Sequence, residues 1–296
     1  MSFNYLVCVK QVPDTKNITG QAMKPDGTVN RAALPAIFNP EDLNALELAI
    51  QLKERYGGEI TVVTMGPPSA AEVLRQSLYR GADKVALITD RAFAGADTLA
   101  TSYALSCFAK NATKFDIILC GRQAIDGDTA QVGPQLAEKL ELPQIAYVEE
   151  VLSLDKKKIK ARRAIEGGNE TVECHLPVLL TVIDANEPRP PSVKRLMKYK
   201  RARTRSEISA KRSSYTEAEN IANEEKEYRK KGLWIEELTA SDIKADIERI
   251  GLKGSPTKVK QIESVVLKAS EMKKIEATEQ GIRSLINELI KEHILG

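Results

Sequence analysis

Short β-branched runs alternate with segments of helical periodicity along the first 184 residues of the chain. Strand-like runs occur at residues 5–9, 60–64, 85–88 and 115–119. This alternation predicts a parallel α/β sheet with helices on both faces, which is a Rossmann-like fold. The run at 115–119 is the most continuously apolar and is therefore expected to be a central strand.

Helix starts are marked by capping residues. Asn39 suits an N-cap, Pro40 suits the first helical position, and the acids Glu41 and Asp42 complement the positive end of the helix dipole. Further helices are predicted at residues 69–81, at 96–109, and between Gln131 and about residue 140. Strands near 144–148 and 172–183 are expected to flank a hairpin-like stretch at 152–165.

The composition changes after residues 186–191. Residues 194–212 hold nine Lys or Arg and a single acid, Glu207. We therefore expect three regions: an α/β core at 1–192, a basic and charged linker at 193–232, and a C-terminal arm at 233–296. Helices are predicted in the arm at 241–250 and 276–290. With few apolar residues, the arm is expected to pack on the core or on another chain.

Composition excludes several classes of function. The chain has 296 residues with a formal net charge of +3, which is too small an excess to indicate nucleic acid or an anionic membrane. Its four cysteines lack a CxxC spacing and it has only two histidines, which disfavours a zinc cluster or a disulfide scaffold. It shows no basic leader and no apolar run of membrane length. A cytoplasmic protein without a membrane span or a nucleic-acid partner is expected.

Four loops are expected to meet at the carboxyl edge of the sheet, where parallel α/β folds bind ligands. They lie at residues 9–11, 65–66, 90–98 and 121–131. Glycines in or beside these loops, such as Gly66, Gly121 and Gly127, can admit a phosphate. A nucleotide is the simplest ligand that accounts for these loops and glycines. The alternative, that the glycines serve only as turn residues, remains open. Neither a GxGxxG nor a P-loop motif opens a helix.

No catalytic or metal-binding constellation is evident. His175 alternates with apolar neighbours and is interpreted as a sheet residue, while His293 lies near a helix end, where a cation is favourable. Asp126 and Asp128 are too few for a metal site and are interpreted as turn residues. Any chemistry is therefore expected to reside in a cofactor.

Ordered motifs along the chain identify a family. The first reads Ala161-x-Arg163-x-x-Glu166-Gly167-Gly168-x-Glu170-x-Val172 and continues with Pro177-x-Leu179-Leu180-Thr181. The others are Val9-Lys10-Gln11-Val12-Pro13-Asp14, Asn39-Pro40, Gly121-x-Gln123-Ala124-Ile125-Asp126, Asn186-Glu187-Pro188-Arg189 and Gly251-Leu252-Lys253-Gly254-Ser255-Pro256-Thr257. On these residues the chain resembles the β subunit of electron transfer flavoproteins over essentially its whole length.

The resemblance implies a heterodimer. Its α subunit carries an FAD, and the β subunit holds AMP or, in electron-bifurcating members, a second FAD. The loop at residues 90–98 is similar to that of the bifurcating subset, in which NADH reduces the β-held flavin. One electron then passes to ferredoxin or flavodoxin and the other to a flavin-dependent dehydrogenase such as an acyl-CoA dehydrogenase. NADH oxidation is expected only in complex with the α subunit and a partner dehydrogenase.

The expected cofactor-binding residues combine the strand-end loops with the positions that match the family site. They are Cys8, Asn39, Pro40, Glu41, Asp42, Met65, Gly66, Asp90, Thr98, Gly121, Arg122, Gln123, Ala124, Ile125, Asp126, Gly127, Asp128, Thr129, Ala130, Gln131 and Val132. No catalytic residue and no metal ligand is expected within the chain itself.

Three alternatives remain at this stage. The first is an AMP-binding β subunit of a non-bifurcating electron carrier, and the second is a non-redox nucleotide-binding regulatory protein. The third is nucleic-acid binding through the basic segment, which has only Tyr199 as a stacking platform. The chain has Val193-Lys194 where members that dock acyl-CoA dehydrogenases often carry Leu-Pro, so the resemblance does not identify the dehydrogenase.

Overall fold

A computed structural model of the chain describes residues 2–14, 34–183, 187–210, 218–257 and 274–291. The strands are β1 (Phe3–Cys8), β2 (Gln11–Pro13), β3 (Ala36–Phe38), β4 (Gly58–Met65), β5 (Lys84–Ile88), β6 (Ile117–Gly121), β7 (Gln144–Leu154), β8 (Lys158–Ile165), β9 (Gly168–His175), β10 (Val178–Val182) and β11 (Glu236–Leu238). The helices are α1 (Pro40–Tyr56), α2 (Ala71–Arg80), α3 (Thr98–Asn111), α4 (Val132–Leu140), α5 (Val193–Tyr199), α6 (Arg205–Ala210), α7 (Ala218–Lys230) and α8 (Glu279–Lys291).

The main sheet has nine strands in the order β11-β5-β4-β1-β6-β10-β7-β8-β9. All pairs from β11 to β7 are parallel, and β7-β8 and β8-β9 are antiparallel. The predicted central strand is confirmed, because β6 is the middle strand and every one of its residues is buried. The chain leaves β1 for β4 on one side and later returns to β6 on the other. This reversal places a topological switch point at β1.

Helices cover both faces of the sheet, as predicted. Tyr5 and Val7 of β1 pack in a core with α1 and α2, whereas Leu6 and Cys8 point to the opposite face and pack with α3 and α4. The alternation follows from the twofold side-chain period of a strand. Because both faces are covered, the inner parallel strands β1, β6 and β10 are nearly continuously apolar.

The second half of the sheet differs from the prediction. A single hairpin-like stretch was expected at residues 152–165, but two successive hairpins form: β7 with β8, and β8 with β9. The first turn is fixed by Asp155, whose Oδ1 accepts hydrogen bonds from the backbone N–H groups of Lys157 and Lys158. The predicted strand at 172–183 is interrupted at Leu176-Pro177, which separates β9 from β10. His175 lies in β9, as expected for a sheet residue.

The predicted linker at residues 193–232 contains the helices α5, α6 and α7. Helix α5 packs against α2. Its Arg195 donates hydrogen bonds to the carbonyl oxygens of Leu78, at 2.6 Å, and of Ala82. An ion pair of 2.9 Å between Arg75 and Glu207 joins α2 to α6. Part of the basic segment is therefore used in contacts within the chain.

The segment after residue 232 contributes to the same core. Strand β11 pairs parallel to β5, and Ile235 and Ile243 are fully buried. The predicted helix at 241–250 is wrong, since the region forms turns and one short 3-10 turn, Ile247–Arg249. Asp242 bonds the backbone N–H and the hydroxyl of Thr239 instead, and such local bonds compete with helix formation.

Residues from 260 onward form a separate unit, and α8 is the helix that the structure describes within it. The predicted helix at 276–290 is confirmed in type. The terminal His293 lies outside the described residues. Among the stretches that the structure describes, no helix is both long and apolar enough to cross a membrane.

Candidate functional site

A cavity of about 370 Å³ opens at the carboxyl ends of β1, β4 and β6. Cys8, Met65 and Cys120 lie at or next to the ends of these strands and line it. Cys8 and Cys120 are register partners on adjacent strands. The switch point of a parallel α/β sheet leaves such a crevice, because the connections from its central strands run to opposite faces.

The start of α1 holds the long loop that follows β6. Asn39 occupies the N-cap position, but its side chain does not cap the helix. Its Nδ2 instead donates to the Gln123 carbonyl oxygen at 2.8 Å, and its Oδ1 accepts from the Ile125 N–H at 3.1 Å. Glu41 accepts from the Gln123 N–H and forms a 2.7 Å ion pair with Arg122. The sequence prediction assigned Asn39 to a helix cap, whereas the fold uses it as a loop anchor.

Asp42 forms the deepest polar group of the cavity wall. Its two carboxylate oxygens accept hydrogen bonds from the backbone N–H groups of Gly121 at 3.0 Å and Lys10 at 2.8 Å. Burial raises the pKa of the Asp42 carboxyl to about 7, and the N–H donor of Gly121 opposes part of that rise. Near neutral pH the carboxyl therefore exists in both protonation states, which weakens its repulsion of a neighbouring anion.

Three glycines around the loop have different roles. A Cβ at Gly121 would lie 2.6–2.7 Å from atoms of Asp42 and Glu41, and one at Gly133 would lie 2.6 Å from Thr181. Glycine at these two positions is therefore required by packing against α1 and β10. At Gly127 a Cβ would meet nothing within 4 Å, although the residue lines the cavity. Only Gly127 offers free space for a ligand.

The loop carries backbone strain. Asp128 and Ala130 have φ angles of 48° and 52°, in the left-handed region that L-residues rarely adopt. Asp128 accepts a hydrogen bond from Gln123 Nε2 at 3.0 Å, which ties the two ends of the turn together. Strained residues of this kind persist where the surroundings fix them, and they cluster at ligand sites.

Two side-chain contacts span the mouth of the cavity. Lys10 Nζ lies 2.7 Å from Asp126 Oδ2 and joins the loop after β1 to the loop after β6. Thr98 Oγ1 donates to Gln131 Oε1 at 2.8 Å and joins the start of α3 to the start of α4. Both contacts are exposed to solvent, so they can open when a ligand enters.

The N-terminus of α4 faces this space. No side chain caps it at Gln131, and its first residues, Val132 and Gly133, line the cavity. The first N–H groups of a helix have no partner within the helix and carry the positive end of its dipole. Together with Gly127, this helix start is suited to a phosphate group.

The loop at residues 90–97 forms another wall. Phe93, Gly95, Ala96 and Asp97 line the cavity, and a Cβ at Gly95, which has φ 73°, would lie 3.4 Å from Leu252. The segment at 251–257 holds this loop from outside. Ser255 Oγ accepts from the Asp97 N–H at 2.8 Å, and the Thr257 N–H donates to Asp97 Oδ2 at 3.1 Å.

Most of the predicted cofactor-binding residues are brought together around the cavity. Those that line it are Cys8, Asp42, Met65, Thr98, Gly121, Arg122, Gln123, Ala124, Asp126, Gly127, Thr129, Ala130, Gln131 and Val132. Their contact with a cofactor stays a prediction.

The other predicted residues do not line the cavity: Asn39, Pro40, Glu41, Gly66, Asp90, Ile125 and Asp128. Asn39, Glu41, Ile125 and Asp128 take part in fixing the loop. Pro40 begins α1, and the Gly66 N–H donates to the Ile88 carbonyl. Asp90 accepts hydrogen bonds from the backbone N–H groups of Ala92, at 3.0 Å, and Ala240, at 3.3 Å. Asp90 therefore joins the 90–97 loop to the segment after β11.

The predicted set of cofactor-binding residues omitted several lining residues, although the first six lie in the predicted loops at 9–11 and 90–98: Val9, Lys10, Phe93, Gly95, Ala96, Asp97, Thr101, Leu105, Cys120 and Gly133. Most are sequence neighbours of predicted positions. Thr101 and Leu105 follow Thr98 at helical spacing and share its face of α3, a signal that was present in the sequence. The described residues contain no cluster of His, Cys, Asp or Glu suited to a metal ion.

Comparison with known proteins identifies a family. The model of the electron transfer flavoprotein domain matches residues 26–211. The chain is 42% identical over 293 residues to the electron transfer flavoprotein subunit beta of Clostridium acetobutylicum, covering 99% of this chain and 100% of that protein. It is 41% identical over 293 residues to the caffeyl-CoA reductase-Etf complex subunit CarD of Acetobacterium woodii, covering 98% and 99% of the two chains. It is 39% identical over 289 residues to protein FixA of Bradyrhizobium diazoefficiens, covering 95% and 89%.

Proposed function

The chain belongs to the electron transfer flavoprotein family as a β subunit, and from that premise we propose that its strand-end cavity binds an FAD that is reduced by NADH. The family membership accounts for electron transfer and for an α-subunit partner. The identity of the β-held nucleotide and the bifurcation of electrons to two acceptors are the new elements. The single observation that carries the proposal is the uncapped α4 N-terminus beside Gly127, at the switch point of the sheet.

The residues present fit a bound adenine nucleotide. The α4 N-terminus and the free space at Gly127 suit its phosphates, while Met65 and Leu105 supply apolar lining. Lys10 and Arg122 provide cations at the rim, each already held by an acid. A flavin, when bound, accepts two electrons as hydride and releases them singly. The role of the protein is to hold the nucleotide and to exclude solvent from part of it.

FAD, rather than AMP, is supported by the second wall of the cavity. A loop with small residues, Gly95 and Ala96, faces the strand ends, and Phe93 closes its inner side. Small side chains leave room beside a flat ring. These residues lie in the loop that resembles the bifurcating subset of the family.

AMP is the second candidate, and one observation favours it. The cavity volume of about 370 Å³ lies near the lower end of the range for small-molecule sites, about 300–1,000 Å³. A β subunit that holds AMP is a carrier of electrons without NADH oxidation of its own. The volume suits this smaller nucleotide, whereas the lining of the 90–97 loop suits the larger one.

The proposed partners follow from chemistry and from relatives. We expect ferredoxin or flavodoxin as one electron acceptor and a flavin-dependent dehydrogenase as the other. The name of the Acetobacterium woodii relative places that protein in a complex with a caffeyl-CoA reductase, which supports a dehydrogenase acting on a CoA thioester. All four cysteines are unpaired, which supports the reducing environment of the cytoplasm.

The test uses the heterodimer, obtained by coexpression with its α subunit. After denaturation, released FAD and AMP are counted per αβ pair by chromatography, and an intact sample is titrated with NADH in the absence of oxygen. We expect two FAD per pair and bleaching of the flavin absorbance by NADH. One FAD and one AMP per pair, with no response to NADH, would contradict the proposal and support the AMP carrier.

A further inference from the structure

A second depression, of about 350 Å³, lies on the other side of α3 from the strand-end cavity. It is lined by Leu99, Tyr103, Lys139, Glu248, Arg249, Lys253, Gly254, Ser255 and Pro256. The contributing elements are α3, the last turn of α4 and the 248–256 segment. We call this depression the basic pocket.

The basic pocket has an excess of positive charge. Its wall contains the cations Lys139, Arg249 and Lys253 and only one acid, Glu248. Glu248 is paired with Lys253 at 2.8 Å, and no ion pair involves Lys139 or Arg249 within the described part of the chain. Partial burial, together with repulsion from Arg249, lowers the pKa of Lys139. Neighbouring charges of one sign create a positive potential that attracts an anion.

The walls of the basic pocket are fixed by contacts within the chain. The Arg249 guanidinium lies 4.0 Å from the ring centre of Tyr103, and the Tyr103 hydroxyl accepts from the Asp246 N–H at 3.1 Å. Ser255 Oγ donates to the Gly251 carbonyl at 2.6 Å. A Cβ at Gly254 would lie 2.0 Å from the carbonyl carbon of Arg249, so the turn has no room for another residue type. A site with walls fixed in advance needs little ordering to bind a ligand.

We infer that the basic pocket binds the phosphate groups of a small phosphorylated ligand, separately from the strand-end cavity. Phosphate oxygens are the acceptors that a guanidinium and two ammonium groups prefer. The volume exceeds that of a lone ion and falls within the range of small-molecule sites. Leu99, which is 38% exposed, and Pro256 add an apolar margin for the remainder of the ligand.

A footprint in the wild-type heterodimer tests the location. Lysine acetylation rates are measured by peptide mass spectrometry with and without pyrophosphate, in the presence of AMP and FAD to keep the strand-end cavity filled. We expect pyrophosphate to slow acetylation of Lys139 and Lys253. Lys156, an exposed lysine in the β7-β8 turn, is the internal control and should not change. If Lys139 is acetylated just as slowly without pyrophosphate as with it, another protein surface covers the pocket and the inference is overturned.

Affinity measurements test the charge argument. Pyrophosphate binding is measured by titration calorimetry in Lys139→Gln and Lys253→Gln heterodimers, with Lys156→Gln as the control that loses the same net charge. We expect affinity to fall about threefold to tenfold in the first two and to stay unchanged in the control. Glu248→Gln should bind more tightly, because it removes the single acid of the pocket. Equal affinity in all four variants would show adventitious binding only and refute the inference.

Discussion

At the scale of single residues, the fold strongly perturbs the ionisation of Asp42. It is buried beneath the strand-end cavity and accepts two backbone hydrogen bonds, from Gly121 and Lys10. Burial raises its pKa to about 7, far above the value near 4 in an unfolded chain. The native state therefore binds more protons than the unfolded state between these two pH values.

This difference gives a prediction about pH. The contribution of Asp42 to the free energy of unfolding should decrease as pH rises from about 4 to about 7, and should be constant above that range. An Asp42→Asn variant cannot ionise at this position. The free energy of unfolding of the wild type minus that of the variant should therefore fall as pH rises from 5 to 7. Urea unfolding at several pH values measures it. Leu46→Ala, which loses buried apolar contacts and no charge, should differ from wild type by a constant amount.

Residue identity alone was a partial guide to the site. Asn39 has the residue type and position of an N-cap, yet its side-chain amide forms hydrogen bonds with two backbone groups of a loop more than 80 residues away in sequence. Gly121 was expected to admit a phosphate, but it is required because α1 packs against its Cα. Both cases depend on tertiary neighbours, which a local pattern does not contain. By contrast, Met65 lies in a strand-end loop that followed from the fold class, and Cys8 followed from the family resemblance.

At the scale of elements, long periodic segments were predicted well and short ones were not. The helices α1, α3 and α4 each display an apolar face over two or more turns, which fixes their type. Strand β11 has three residues and no distinctive pattern. It forms by parallel pairing with the edge of β5. Its neighbourhood was therefore predicted to belong to an arm, although Ile235 and Ile243 are buried in the core.

Two truncations separate the core from the arm. Removing residues 260–296 should leave the β subunit folded, with an unchanged melting temperature, because Ile235 and Ile243 and the contacts of Asp97 remain. Removing residues 233–296 should destabilise it strongly, since buried side chains and a sheet strand are lost. Thermal unfolding followed by circular dichroism measures both. An equal loss of stability in the two proteins would contradict the core assignment.

The shorter truncation also tests partner binding. Helix α8 has Ile282, Ile286 and Ile290 exposed, so its apolar side is free to pack on another surface. We expect copurification with the α subunit to weaken when residues 260–296 are removed. The matched control is an Ile247→Ala variant, which changes an exposed apolar residue outside this unit and should assemble normally. Undiminished assembly of the truncated chain would refute this role of residues 260–296.

At the scale of the whole molecule, the strand order determines where a ligand can bind. Strands β4 and β6 flank β1, and the chain reaches them through helices on opposite faces. The three strand ends therefore leave a crevice between diverging connections, and the α4 N-terminus and the loops at 90–97 and 121–131 close around it. This location was predictable from the alternating pattern. The anchoring of the loops by α1 and by the 251–257 segment was not, because it joins distant parts of the chain.

Gly127 offers a selective way to block the cavity. A side chain there would enter open space and meet no atom of the protein within 4 Å, so Gly127→Val should fold normally. The same substitution at Gly168, the first residue of β9, is the control, because a Cβ there also meets nothing within 4 Å and the residue does not line the cavity. Any loss of nucleotide specific to Gly127→Val therefore reports on ligand space and not on folding.

The most direct test of the site is the nucleotide content of these two variants, each purified as a heterodimer with the α subunit and denatured for chromatography. The Gly127→Val heterodimer should lose the nucleotide of the β subunit and keep the flavin of the α subunit. The Gly168→Val heterodimer should retain both at wild-type levels. Full nucleotide content in Gly127→Val, whether as FAD or as AMP, would show that the β-subunit nucleotide does not occupy the strand-end cavity.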